Sequence, residues 1–183
     1  MEPKKAERVQ GTIPLSRVGL SALAAHEKIS NETRVQAAVV TGTPILTMDG
    51  ELPVEFLSPG DLLISRNAGT AALLSIEIAS TRTTLICIRA GSLGQNRPES
   101  DTRLVPDQPV LVRDWRAQAL HGRSVSMMAA ADLVDDGYIH AAAPVDVKLV
   151  TITLGAPHVI YAGGIEIGVE PGPAPLPPTP LIS

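Results

Sequence analysis

Short apolar runs broken by turn residues recur through the middle of the chain. They are PILTM (44–48), DLLIS (61–65), ALLSIEIA (72–79), TLICIRA (84–90), RLVPDQPVLV (103–112), VKLVTITL (147–154) and HVIYAGGIEIGV (158–169). Several alternate apolar and polar positions, and Gly, Pro, Asp and Asn separate them. That pattern predicts short strands of an all-β domain over residues 37–170. MAAADLV (128–134) is the main helical exception. Upstream, Val18, Ala22, Ala25 and Ile29 recur at helical spacing, which predicts a short amphipathic helix near Leu15–Ile29 within an N-terminal extension, 1–36. The stretch PGPAPLPPTPLIS (171–183) holds six prolines, which lack an N–H donor, and is expected to be a disordered or polyproline-like tail.

Turn chemistry agrees with strands. Asp49-Gly50 suits a hairpin turn in which glycine takes positive φ, and Gly163-Gly164 can serve as a second one. In Ser58-Pro59-Gly60-Asp61 the proline presets φ at the second position and the glycine fits the third position of a type II turn. Asp61 is expected to cap a backbone turn. Asp132, Asp135 and Asp136 form an acidic patch without the alternating oxygen ligands of a calcium loop, so a turn is expected there too.

Composition narrows the chemistry. Aromatic residues are 2% of the chain, so the core must be built from Val, Ile, Leu and Ala, and little is left for stacking on bases or sugars. The net charge of −4 disfavours a nucleic-acid partner. One cysteine, Cys87, excludes an intrachain disulfide and a multi-cysteine metal site; mid-strand, it reads as a structural thiol. His26, His121, His140 and His158 lack HxH or HxxxH spacing, so neither a metal nor a cofactor is expected. No apolar run is long enough for a membrane span and no signal peptide is recognised, which suits a cytoplasmic protein or export by another route.

Taken in order, the motifs TGTPILTMDGELPVEFLSPGDLLISR (41–66), IRAGSLGQNRPESDTRLVPDQPVLV (88–112), ADLVDDGYIH (131–140) and LVTITLGAPHVIYAGGIEI (149–167) resemble the Hint (Hedgehog/intein) domain of bacterial Hint-domain proteins. The resemblance implies a compact, disk-like all-β fold whose ends meet. It also implies self-processing chemistry. A Cys, Ser or Thr at the start of the domain attacks the preceding carbonyl, and histidines polarise that carbonyl and protonate the leaving amine. Here those family positions fall on Ala38, Gln108 and Pro157, with His158 one place beyond the last. A methyl group has no lone pair, and Gln cannot supply a proton from a cationic form near neutral pH.

The resemblance with these substitutions implies a Hint fold that has lost autoproteolysis and is retained as a binding or scaffold module for an unidentified protein partner. Two other readings stay open. One is a working self-processing domain with a substituted nucleophile, Thr41 or a hydroxyl in the 30–33 region, with His158 as the acid. The other is an unrelated small β-barrel binding protein. On the residues alone, Thr41 reads first as a turn or strand-start position, and His158 as a structural or solvent-facing histidine.

Overall fold

A computed structural model describes residues 35–171. The helix expected near Leu15–Ile29 and the tail beyond residue 171 lie outside the described residues. Thirteen strands follow in chain order: β1 (Val35–Val40), β2 (Pro44–Thr47), β3 (Gly50–Pro53), β4 (Leu62–Ser65), β5 (Gly69–Thr83), β6 (Ile86–Ile88), β7 (Thr102–Leu104), β8 (Pro109–Val112), β9 (Ser126–Ala129), β10 (Ile139–Ala141), β11 (Val145–Leu154), β12 (His158–Ala162) and β13 (Ile165–Val169). One short helix, α1 (Trp115–His121), lies between β8 and β9. Each apolar run named above carries at least one strand.

The strands form one antiparallel array, ordered β10-β6-β7-β1-β11-β5-β4-β2-β12-β13-β8-β9, with β3 paired to β2. Strand β5 runs 15 residues. Its first part pairs with β4 from Leu62↔Ala72 to Ser65↔Gly69, and the remainder pairs with β11 from Leu154↔Leu73 to Val145↔Thr83. One long strand thus belongs to both halves of the sheet, which curls the array around its own core.

That core is aliphatic, as the composition requires. Ile45, Leu63, Leu104, Val110, Val150, Ile152, Ile160 and Ile167 are essentially inaccessible, whereas Phe56, Trp115 and Tyr138 are exposed. Each fully buried Val, Leu or Ile contributes about 1.5–3 kcal/mol relative to exposure. Strand β13 is buried along its whole length, so it sits within the array rather than on a solvated face.

The turns form with the expected chemistry. Asp61 N–H donates to the Ser58 carbonyl at 3.0 Å, Gly60 carries φ +99°, and Asp61 Oδ2 accepts from Ser58 N–H at 2.8 Å. The β12–β13 hairpin turns at Gly163 (φ +58°) and Gly164 (φ +74°). In the β2–β3 hairpin, Thr47 pairs with Gly50, so Met48-Asp49 make the turn and Gly50 (φ +108°) opens the next strand.

The helical expectation for 128–134 is corrected. Residues Ser126–Ala129 are a strand paired to β8, and only Ala130–Leu133 wind into a single 3-10 turn. Alanine favours helix, but intrinsic propensity is small, and the ladder that β8 offers outweighs it. Among the described residues the helix is α1, which the sequence pattern did not predict although its ends carry a signal. Asp114 accepts from Arg116 N–H at 2.9 Å as the N-cap, and Gly122 closes the helix at φ +63°.

Candidate functional site

Strand β1 carries Ala38, where the resemblance would put the nucleophile. Ala38 lies in mid-strand, half-buried, opposite Thr151 of β11, and the register is unbroken from Val35↔Leu154 to Val40↔Leu149. Gln108, at the turn into β8, is buried. Its side-chain amide donates to the carbonyls of Gly168 at 2.7 Å and Pro109 at 3.2 Å. Its own backbone carbonyl accepts from Ala130 N–H at 2.9 Å. Ala38 and Gln108 border one depression of about 420 Å³, together with Asp107, Thr151 and Glu170.

Pro157 is not part of that lining. It precedes β12, and its carbonyl accepts from Asn67 Nδ2 at 3.2 Å. His158 follows it, with Nδ1 3.1 Å from Ser65 Oγ. The fold therefore brings Ala38 and Gln108 to one place and leaves Pro157 at another.

The ends of the domain do meet. Gln36 N–H donates to the Glu170 carbonyl at 2.9 Å, and Ala162 of β12 pairs with Ile45 of β2. Strand β1 opens at Val35, two places before the boundary expected at 37. Val35 and Ala37 are buried in the core, so the segment preceding Ala38 is built into the domain.

A hydroxyl in the 30–33 region lies outside the described residues; the other substitute nucleophile, Thr41, lies apart from His158. Thr41 sits in a turn, with its N–H 3.1 Å and its Oγ1 3.3 Å from the Lys148 carbonyl, and it borders a depression that also includes Gly163. His158 is five residues from Gly163 along β12, roughly 16 Å at the rise of an extended strand. Neither hydroxyl nor imidazole reaches the other. Cys87 is half-buried in β6, opposite Arg103 and His140. Among the described residues no cluster of His, Cys, Asp and Glu could hold a metal ion. No described helix is long and apolar enough to cross a membrane.

The acidic patch resolves into a turn organised by one carboxylate. Asp135 Oδ1 accepts from the backbone N–H groups of Gly137, Tyr138 and Ile139 at 2.9–3.0 Å, while Oδ2 meets Arg116 Nη2 at 2.7 Å. The Ile139 hydrogen bond leads the stabilisation, and with the others it outweighs the cost of burial, so the carboxyl titrates below its ordinary range.

A second charged cluster escaped the sequence reading. Glu166, buried within β13, is reached by Arg66 Nη1 at 2.8 Å, by Arg113 Nη2 and by Arg97 Nη1 at 3.6 Å. Burial pushes its carboxyl up, but the hydrogen bonds and charges of Arg113 and Arg66 outweigh that and hold it below the ordinary glutamate range. The available signal was a lone acid inside the apolar run GGIEIGV; its partners come from three distant loops that no local pattern links.

A curled antiparallel array in which the first strand meets the last is the architecture of the Hint (Hedgehog/intein) class. The chain belongs to the Hint domain family, whose sequence profile matches residues 37–168. Among solved structures it is similar to a bacterial intein-like domain from Clostridium thermocellum, at 18% identity and TM-score 0.48, covering 73% of this chain and 98% of that one. It is also similar to a variant of the gp41-1 intein (14% identity, TM-score 0.49, 71% and 97% covered) and to the TvoVMA intein (10%, 0.49, 75% and 98%). Identities this low carry nothing about activity. No curated protein matches.

Proposed function

We propose that this Hint domain does not cleave itself and serves as a binding or scaffold module, with residues 35–170 as its body and the chain on either side offered to a protein partner. The observation that carries this reading is the burial of the residues before Ala38. In a domain that detaches at that point, the upstream segment must be able to leave. Here Val35 and Ala37 are core residues and Gln36 is tied to residue 170. Cleavage between Ala37 and Ala38 would strip a paired strand of half its length.

The local chemistry supports the same reading. Ala38 offers no attacking atom, and the acyl shift draws much of its acceleration from a nucleophile held against the carbonyl. Gln108 spends its amide hydrogens on two backbone carbonyls, which leaves a structural tie in place of a proton donor. Uncatalysed amide cleavage is extremely slow, since catalysis must remove about 8–23 kcal/mol of barrier to make such reactions fast.

The test is the intact mass of the purified full chain over days, alone and with dithiothreitol or hydroxylamine. One unchanged mass is expected. Two fragments dividing at Ala37–Ala38 and together accounting for the chain would overturn the reading.

A further inference from the structure

Behind the loop that joins β6 to β7 lies a cavity of about 200 Å³, bordered by Leu93, Arg97, Leu111, Arg113, Ile165 and Glu166. It is separate from the Ala38–Gln108 depression. Its floor carries one carboxylate, Glu166, and, among the described residues, three guanidinium groups lie within 4 Å of that acid: Arg66, Arg97 and Arg113. Asp114 also borders the cavity, but its oxygens are engaged by α1, with Oδ1 on Arg116 N–H at 2.9 Å and Oδ2 on Arg116 Nη1 at 2.5 Å. Arg116 is further paired with Asp135. Arg97 and Arg113 border the cavity itself and Arg66 reaches Glu166 from outside it, so the one available acid is outnumbered by the cations around it.

Two further features separate this cluster from a purely structural ion pair. Arg113 Nε is buried and has no hydrogen-bond partner among the described residues, although a buried guanidinium donor is ordinarily satisfied. The loop forming one wall runs through three consecutive left-handed residues, Gly94 (φ +79°), Gln95 (φ +53°) and Asn96 (φ +56°). Two of these carry side chains, for which that region is uncommon and costly, and such strain collects at ligand-binding segments. The loop is held in this form by Leu93 N–H to the Arg97 carbonyl at 2.9 Å and by Arg97 N–H to the Gly94 carbonyl at 3.0 Å. Its conformation places Arg97 at the mouth of the cavity.

We propose that this cavity binds an oxyanion, the carboxylate or phosphate of a small ligand, seated between Arg97 and Arg113 with its apolar part against Leu93, Leu111 and Ile165. Planar guanidinium groups take such anions through paired, charge-assisted hydrogen bonds. The aliphatic wall favours a carboxylate borne on an apolar body; inorganic phosphate would use the arginines alone. The site does not depend on whether the Ala38 position is inert.

The experiment is calorimetric titration of the full chain with sodium benzoate and, separately, with inorganic phosphate, at ionic strength held constant with chloride. Saturable one-site binding of either probe is expected; benzoate alone would identify the carboxylate arm, and phosphate alone the phosphate arm. Arg97→Gln, on a solvent-facing side chain that leaves Arg66 and Arg113 on Glu166, should weaken binding at least tenfold with an unchanged circular-dichroism spectrum. Arg113→Gln should weaken it as much or more, while Arg82→Gln, in the exposed pair with Asp146, should leave it unchanged. Absence of saturable binding by both probes, or equal affinity in the native chain and Arg97→Gln, would overturn the proposal.

Discussion

Gly163 shows how much one missing Cβ decides. It holds φ +58°, and a Cβ there would lie 2.3 Å from Thr102 Oγ1 and 3.4 Å from Thr43 Cγ2. Gly163→Ala therefore combines an unfavourable backbone conformation with a collision between the β12–β13 turn and β7. It should destabilise by well over about 1 kcal/mol, lowering Tm by several degrees. Gly122→Ala is the informative contrast, because its φ of +63° is close to that of Gly163 and a Cβ there has nothing within 4 Å, so only the dihedral cost remains. Equal losses in the two variants, measured by thermal denaturation, would show that the close approach to Thr102 does not matter. Charge acts at this scale as well. The carboxyls of Asp135 and Glu166 both titrate below their ordinary values. A carboxyl depressed in the folded state stabilises fully above its unfolded pKa, near 4, and loses that stabilisation as pH falls through the folded value. Tm should be level from pH 7 to 5 and drop below about pH 4, and Asp135→Asn should lower Tm at pH 7 while flattening its acid fall.

At the scale of elements, the pairing of β11 with β1 on one side and β5 on the other joins the two halves of the sheet. Ile152 is central to it, opposite Ala37 and Ile76 and fully buried. Ile152→Ala should cost about 2–5 kcal/mol in chemical denaturation, the usual range for emptying a packed aliphatic site. The strands were legible because alternation and turn residues coincide in most of them. Helix α1 was equally legible through Asp114 and Gly122, signals overshadowed by the alanine-rich stretch that follows. That stretch could not be read locally, since its state depends on β8 lying alongside.

For the whole molecule, the meeting of the two ends is the decisive feature. A chain beginning at Ala38 should be less stable than one beginning at Thr33, by at least the roughly 1.5–3 kcal/mol that burial of Val35 contributes. Equal denaturation midpoints for the two would show that the upstream segment is dispensable. The same junction sets what restoring chemistry would require. Ala38→Cys alone should give no fragments with hydroxylamine, because Gln108 cannot protonate the leaving amine. Adding Gln108→His places an imidazole beside that depression, and any recovered cleavage, read by mass spectrometry, should appear only in the double variant. Ala38 and Gln108, placed by the order of the motifs around them, fall at one depression. Pro157, placed the same way, does not, since β12 carries it to the Ser65–Asn67 turn.

By itself the sequence determined the all-β class, most strand positions, the turn glycines and the aliphatic core, because alternation, turn propensity and composition act over a few neighbouring residues. It also determined the Hint resemblance, which rests on motif order. Only the tertiary structure decided that Val35 and Ala37 belong to the core, that Ala38 and Gln108 share a depression, and that three arginines converge on Glu166. Those facts depend on contacts between segments as many as 134 residues apart, as with Gln36 and Glu170, and such proximity is set by how the sheet curls.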